Sequence, residues 1–288
     1  MNAAESGFNL QNSHVLIVGL GLMGGSLALA LKGKCQSIIG IDTHTETCQM
    51  AIEQQIVDEA WQGLDQRAAT ADVIVLATPV DRILEYLDIL PTVLNPQKKY
   101  LVFDLGSTKQ KIIAKMENLP ANIFSVGCHP ICGKENLSLR NAERTLYFGA
   151  PLLVTRTSRS DSNVMSFLRE LADELGLKMA ELDASQHDKV LANISHLPYL
   201  ISTALAMATP DEVAPYVGPG FRSTSRLAGT ASSMMMSIIQ SNRENILANL
   251  EKFSDELAFL TSCIAENDEE GLRTYLDSAR ENYRRLKG

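Results

Sequence analysis

Cysteine is scarce in this 288-residue chain. Five residues, an odd number at irregular spacing, do not make a disulfide framework, so the thiols are expected to be reduced. Basic charge is short as well: 26 Lys and Arg stand against 34 Asp and Glu, a net charge of −8. Nucleic-acid binders show a basic surface, so no nucleic-acid partner is expected. No run approaches the stretch of about 18 apolar residues that a membrane span needs, and the opening MNAAESGFNL lacks the basic, apolar layout of a signal peptide. With 10 Pro, 18 Gly, 45% hydrophobic and 21% charged residues, the composition excludes disorder and fibrous repeats. No internal repeat or low-complexity linker is visible. The expectation is an acidic, soluble, cytoplasmic protein with no membrane partner. At about 100–200 residues per domain it has room for two.

What is present falls into two textures. Up to residue 182, short apolar runs alternate with helix-like stretches. The runs are His14–Val18, Ser37–Ile41, Val73–Ala77, Tyr100–Phe103 and Ile123–Val126, with Leu152–Thr155 and Leu177–Ala180 flanking a helix at Ser162–Leu175. Helix-like segments at Ser26–Lys32, Glu46–Gln54 and Arg82–Leu90 separate them. Runs apolar at every position suit strands buried on both faces, so the alternation predicts a doubly wound parallel α/β sheet over residues 1–182. From Asp183 the period becomes helical. Asp183 and Gln186 make a capping-box-like start, and Val190, Ile194, Leu197, Ile201, Leu205 and Ala208 form one stripe. Pro198 is expected to kink this helix without ending it. A second stripe runs from Ile246 to Ile264, and Leu272–Leu286 is also helical. Residues 183–288 therefore read as an all-helical domain whose stripes suit dimerisation, the alternative being packing within the chain.

The first strand runs into Gly19-Leu20-Gly21-Leu22-Met23-Gly24 and then a helix. This is the context a dinucleotide fingerprint requires: Gly19 for the tight turn, Gly21 for approach of a pyrophosphate, Gly24 for close helix–strand packing. The helix N-terminus offers N–H groups and a positive dipole end to the phosphates. Asp42 closes the second strand, where a carboxylate accepts from a ribose 2′-hydroxyl and repels a 2′-phosphate, which favours NAD over NADP; His44 beside it is a candidate phosphate contact. Thr78, Pro79 and Val80 follow the third apolar run and pass beside the cofactor, and Ser107 follows the fourth. His129 lies in a Gly- and Pro-bearing segment after the fifth, placed as a general base beside the crevice or serving a structural role. Cys128 and Cys132 around it have no partner cluster at zinc-site spacing, so no metal is expected.

The pieces Gly19–Ser26, Asp104–Lys109, Gly127–Gly133, Ser195–Pro198 and Gly220–Arg226 together resemble the prephenate and arogenate dehydrogenases of tyrosine biosynthesis, in the family's order. The resemblance implies an NAD-dependent oxidative decarboxylation of prephenate, with His129 as base and Ser107 bonding the substrate's 4-hydroxyl. It further implies that Ser195, His196 and Tyr199 line the substrate pocket and that Arg226 binds the ring carboxylate, with Arg222 as a competitor. Gly133 and Lys134 fall near the substrate side chain. Lys134-Glu135, Ser223 and Tyr199 depart from residues common in the family, which leaves prephenate, arogenate and dual-specificity cyclohexadienyl dehydrogenases open. A β-hydroxyacid or imino-acid oxidoreductase and a non-catalytic NAD sensor are the more distant readings. The chain ends without a regulatory module, so tyrosine inhibition, if any, is expected at the active site.

Overall fold

Every apolar run of the first texture forms a strand. The computed structural model describes residues 7–134 and 136–287, leaving Glu135 outside. The strands are β1 His14–Val18, β2 Ser37–Ile41, β3 Glu59–Trp61, β4 Val73–Leu76, β5 Tyr100–Asp104, β6 Ile123–Pro130, β7 Pro151–Arg156 and β8 Lys178–Glu181. They make one sheet in the order β3-β2-β1-β4-β5-β6-β7-β8, parallel throughout except for the antiparallel β6–β7 pair. The crossover between β3 and β4 returns the chain to the middle of the sheet, and the switch point beside β1 is where such sheets bind ligands.

Alternation along β1 divides the core between the two faces. Val15 and Ile17 enter one apolar cluster with Leu27 and Leu168, and Leu16 and Val18 enter the other with Ile83 and Ile112. Helices α1 Leu22–Leu31, α2 Thr45–Glu53, α3 Val80–Val93, α4 Gln110–Met116 and α5 Ser162–Leu175 connect the strands. Helix α1 begins at Leu22, straight after the glycine turn, rather than at Ser26. Strand β3 was not expected: three residues that include Glu59 carry no apolar run, and pairing with β2 makes the strand. Strand β6 continues past Val126. Cys128 opposes Val154 and His129 opposes Leu153, so His129 sits within the fifth run's own strand, and its placement after that run is corrected.

All described elements after β8 are helical: α6 Ala184–Leu191, α7 Leu197–Ala208, α8 Pro219–Ser225, α9 Ser232–Ser241, α10 Arg243–Ala265 and α11 Glu269–Lys287, with short 3₁₀ turns. One compact unit, containing the sheet, runs through Asn242; a second begins at Arg243. In the second, α10 and α11 form a hairpin, with Phe259 and Tyr275 rings 5.3 Å apart and the Tyr275 hydroxyl donating to Glu256.

Asp183 caps α6 by accepting from the Gln186 N–H at 2.8 Å. The break before Pro198 is not a simple kink. Ala192–His196 is a π-helical turn in which the Leu197 N–H donates to the Ala192 carbonyl, and Pro198 falls in the first turn of α7. The widened turn relieves the clash a proline ring makes with the carbonyl four residues back. The run Ala184–Ala208 is long and apolar enough by length and composition to cross a bilayer, which corrects the reading that no such stretch exists. Here its buried side carries His187, Asp188 and His196, all bonded within the sheet-containing unit, while the apolar stripe is turned out: Val190 is 40% and Ile194 65% exposed.

Candidate active site

The carboxyl ends of β1, β2, β4 and β5 open onto a cleft of about 810 Å³ lined by Gly19, Gly21, Asp42, Thr78, Val80 and Ser107 among others. Gly19 has φ +97°, and a Cβ there would meet the Ala77 carbonyl at 2.7 Å; a Cβ on Gly24 would lie 1.9 Å from the Gly19 carbonyl oxygen. Any larger residue would therefore push the turn away from the end of β4 at Gly19, or α1 off the end of β1 at Gly24. Among the described residues no side chain caps the N-terminus of α1; the Leu22 N–H donates to the Leu137 carbonyl at 2.7 Å. Leu22 and Met23 line the cleft, as does Pro79. Leu20 points the other way, buried against Gly40, and presents its N–H to Asp42 Oδ2 at 3.0 Å. The other oxygen of Asp42 accepts from the His44 N–H at 3.0 Å, so the carboxylate is pinned at the cleft edge with lone pairs to spare. Thr78 Oγ1 is buried, and no described residue partners it. A phosphate-approachable turn, a helix end without a side-chain cap, a pinned carboxylate and an unpartnered hydroxyl fit a dinucleotide.

A chain of charge and hydrogen bonds lies at the end of β6. His129 Nδ1 is 2.9 Å from His187 Nε2, and His187 Nδ1 is 2.9 Å from Asp188 Oδ1. Asp188 also accepts the backbone N–H of Lys109 at 2.6 Å and of Gln110 at 3.0 Å. Burial pushes the Asp188 carboxyl up, but the bonds from His187, Gln110 and Lys109 outweigh it, so the group is held below the usual range. A carboxylate accepts only, so His187 carries its proton on Nδ1 and offers the Nε2 lone pair. His129 must then donate Nδ1–H to His187, which leaves His129 Nε2 as a free lone pair. Burial first, then the positive field of Lys109 and the neighbouring histidines, holds His129 well below its ordinary pKa. The same burial lowers His187.

Lys109 is itself fully buried. Its Nζ lies 2.5 Å from Asp104 Oδ2 and donates to the Gly106 carbonyl at 2.8 Å. Asp104 Oδ2 accepts from the Gly106 N–H at 2.8 Å and Oδ1 from the Cys128 N–H at 3.3 Å, so this pair ties the Ser107 loop to the strand that carries His129.

The remaining expected residues are dispersed. His196 is buried near the histidine chain, with Nδ1 3.2 Å from Asn242 Nδ2. Ser195 beside it is exposed and Tyr199 half-buried, so the three do not share one face. Lys134 pairs with Glu143 at 2.7 Å, and Gly133 is exposed with φ +156°. Arg226 is exposed at the start of a 3₁₀ turn, and Arg222 donates to the Val217 carbonyl at 2.7 Å. Sequence reasoning overlooked His187, Asp188 and Lys109. Adjacent His and Asp near a helix start were the available signal, but nothing in the spacing tied them to a strand 58 residues earlier.

Two family models match the chain: "prephenate dehydrogenase, nucleotide-binding domain" over residues 27–181 and "prephenate dehydrogenase, dimerization domain" over 183–278. The prephenate dehydrogenase of Bacillus subtilis (strain 168) is 28% identical over 284 residues, spanning 95% of this chain and 76% of its own length. The crystal structure of prephenate dehydrogenase from A. aeolicus, in complex with hydroxyphenyl propionate and NAD+, superposes with a TM-score of 0.86 at 28% identity, over 98% of this chain and 100% of that one. Synechocystis arogenate dehydrogenase gives 0.78 at 31%, over 95% and 99%.

Proposed function

The chain belongs to the prephenate dehydrogenase family, and from that premise we propose that it oxidatively decarboxylates prephenate to 4-hydroxyphenylpyruvate and CO2, with His129 as general base. The cofactor is NAD, which when bound supplies the hydride acceptor. The 4-hydroxyl must lose its proton as the carbon bearing it is oxidised, or positive charge accumulates there. The observation that carries this reading is the His129–His187–Asp188 chain, which leaves a neutral Nε2 lone pair on His129. Asp188 stabilises the proton His129 takes up, relayed through His187, without itself becoming protonated. Ser107, on the loop anchored by Lys109 and Asp104, holds the hydroxyl toward the base. Arg226 offers a guanidinium fork to the ring carboxylate.

Arogenate is the second reading, supported by the similarity to the Synechocystis arogenate dehydrogenase. The outward-turned stripe of α6 and α7 and the dimerization-domain match support a homodimer. The decisive experiment follows NADH formation with NAD and prephenate, then arogenate. Turnover of prephenate with the higher kcat/KM is expected. A preference for arogenate selects the second reading, and no NADH from either refutes both.

A further inference from the structure

His196 is 1% exposed, and its two ring nitrogens have unlike surroundings. Nδ1 lies 3.2 Å from Asn242 Nδ2. The same amide nitrogen lies 2.7 Å from the Asp188 backbone carbonyl, which can only accept. That second contact settles which end of the Asn242 amide faces inward: its nitrogen, a donor, and not its oxygen. His196 Nδ1 therefore accepts, and the proton of the neutral ring sits on Nε2. Nε2 is buried, and among the described residues nothing partners it.

We infer that Asn242 is a positioning residue that locks His196 as a neutral Nε2–H donor, and that an oxygen of the substrate supplies the acceptor. The substrate half of this inference rests on the dehydrogenase reading above. Two histidines of one site are thus held in opposite tautomers. His129 presents a lone pair because a carboxylate stands at the far end of its chain, and His196 presents a hydrogen because an amide N–H stands behind it. His196 binds substrate and takes no proton from it. Burial supports the assignment by lowering the ring's pKa to about 4, so the donor is neutral at neutral pH. A neutral donor also leaves the ring without a charge to compete with Arg226 for a carboxylate.

The tautomer is read directly by long-range 1H–15N correlation on full-length protein labelled with [15N]histidine. The chain has five histidines, and His196→Gln identifies the signal. The expected pattern for His196 is a pyridine-like Nδ1 and a pyrrole-like Nε2; a pyridine-like Nε2, or an imidazolium at neutral pH, overturns the lock. The substrate half is read as a split between KM and kcat with whichever substrate the native protein turns over. His196→Leu should raise KM about ten- to a hundredfold, the usual loss for a donor to a charged group, with kcat far less affected. His196→Gln can still present an amide N–H and should recover most of that loss. Equal KM losses in the two variants, or a fall in kcat alone, overturn the donor role. Absence of turnover by the native protein with both substrates overturns the dehydrogenase reading, and the substrate half with it, while the spectrum still decides the tautomer.

Discussion

A base for the substrate hydroxyl needs a nitrogen whose lone pair is free at working pH, and His129 has one at Nε2 because its other nitrogen donates to His187. His129→Asn keeps roughly the size of the side chain and some hydrogen bonding but removes the basic nitrogen that takes up the proton. It should lower kcat by about 10²–10⁴-fold with NAD affinity unchanged, checked by steady-state rates and a cofactor titration. The sign of the pH effect follows from the lowered pKa: the proposed base is neutral throughout the neutral range, and kcat/KM should fall only as pH drops below 6.5 toward the depressed value. The variant should lack that acid limb. Asp188→Asn tests the far end of the chain. The Lys109 and Gln110 N–H groups sit on different carboxylate oxygens, so the amide keeps an acceptor for only one of them. It also no longer dictates the His187 tautomer, and kcat should fall about 10- to 100-fold, as when an outer-shell partner of a reactive imidazole is lost. An unchanged kcat in Asp188→Asn would remove the relay from the mechanism.

At the scale of elements, strand ends and one irregular helix do the positioning. The end of β2 delivers Asp42, pinned by two backbone N–H groups, to the cleft edge. Asp42→Ser removes the charge that repels a 2′-phosphate, so the ratio of kcat/KM for NAD over that for NADP should fall well below the native value. The run from α6 to α7 shows why regular geometry is not enough. His187 and His196 are nine positions apart, which on an ideal helix at 100° per residue places them on opposite sides, about 180° around the axis. The π-helical turn at Ala192–His196 takes up part of that rotation, and both side chains end up buried.

For the molecule as a whole, the site is held by charges that the interior tolerates only in pairs. Lys109 and Asp104 are both fully buried, and Lys109→Met leaves Asp104 with neither cation nor solvent. The loss in unfolding free energy should be about 3–5 kcal/mol, read as a lowered urea midpoint with an unchanged slope. The buried histidines set the acid limit. His196 falls from an ordinary 6.5 to about 4 on folding, so the unfolded chain binds its proton first. Its contribution is complete above pH 6.5 and is lost as pH falls toward 4. Thermal scans should show Tm dropping across that window, and dropping less steeply in His196→Gln.

Much of this was legible along the chain, because burial and turns leave local marks. Strands covered on both faces must be apolar at every position, so the runs from His14 to Ala180 announced a doubly wound sheet. A turn that admits no Cβ must be glycine, so Gly19, Gly21 and Gly24 with Asp42 announced the dinucleotide cleft. The change of period at Asp183 announced the helices. Strand β3 left no such mark, since pairing with β2 rather than composition makes it. The setting of His129 in a strand was decided by β7, where its partner Leu153 stands 24 positions away. The hydrogen-bonded chain through His187 and Asp188, the Lys109–Asp104 pair beneath the Ser107 loop and the Asn242 contact to His196 join segments that only the fold brings together. A sequence records which groups have to be buried; the hydrogen-bond partner that sets a proton on one nitrogen or another is chosen across space, and there the tertiary structure alone decides.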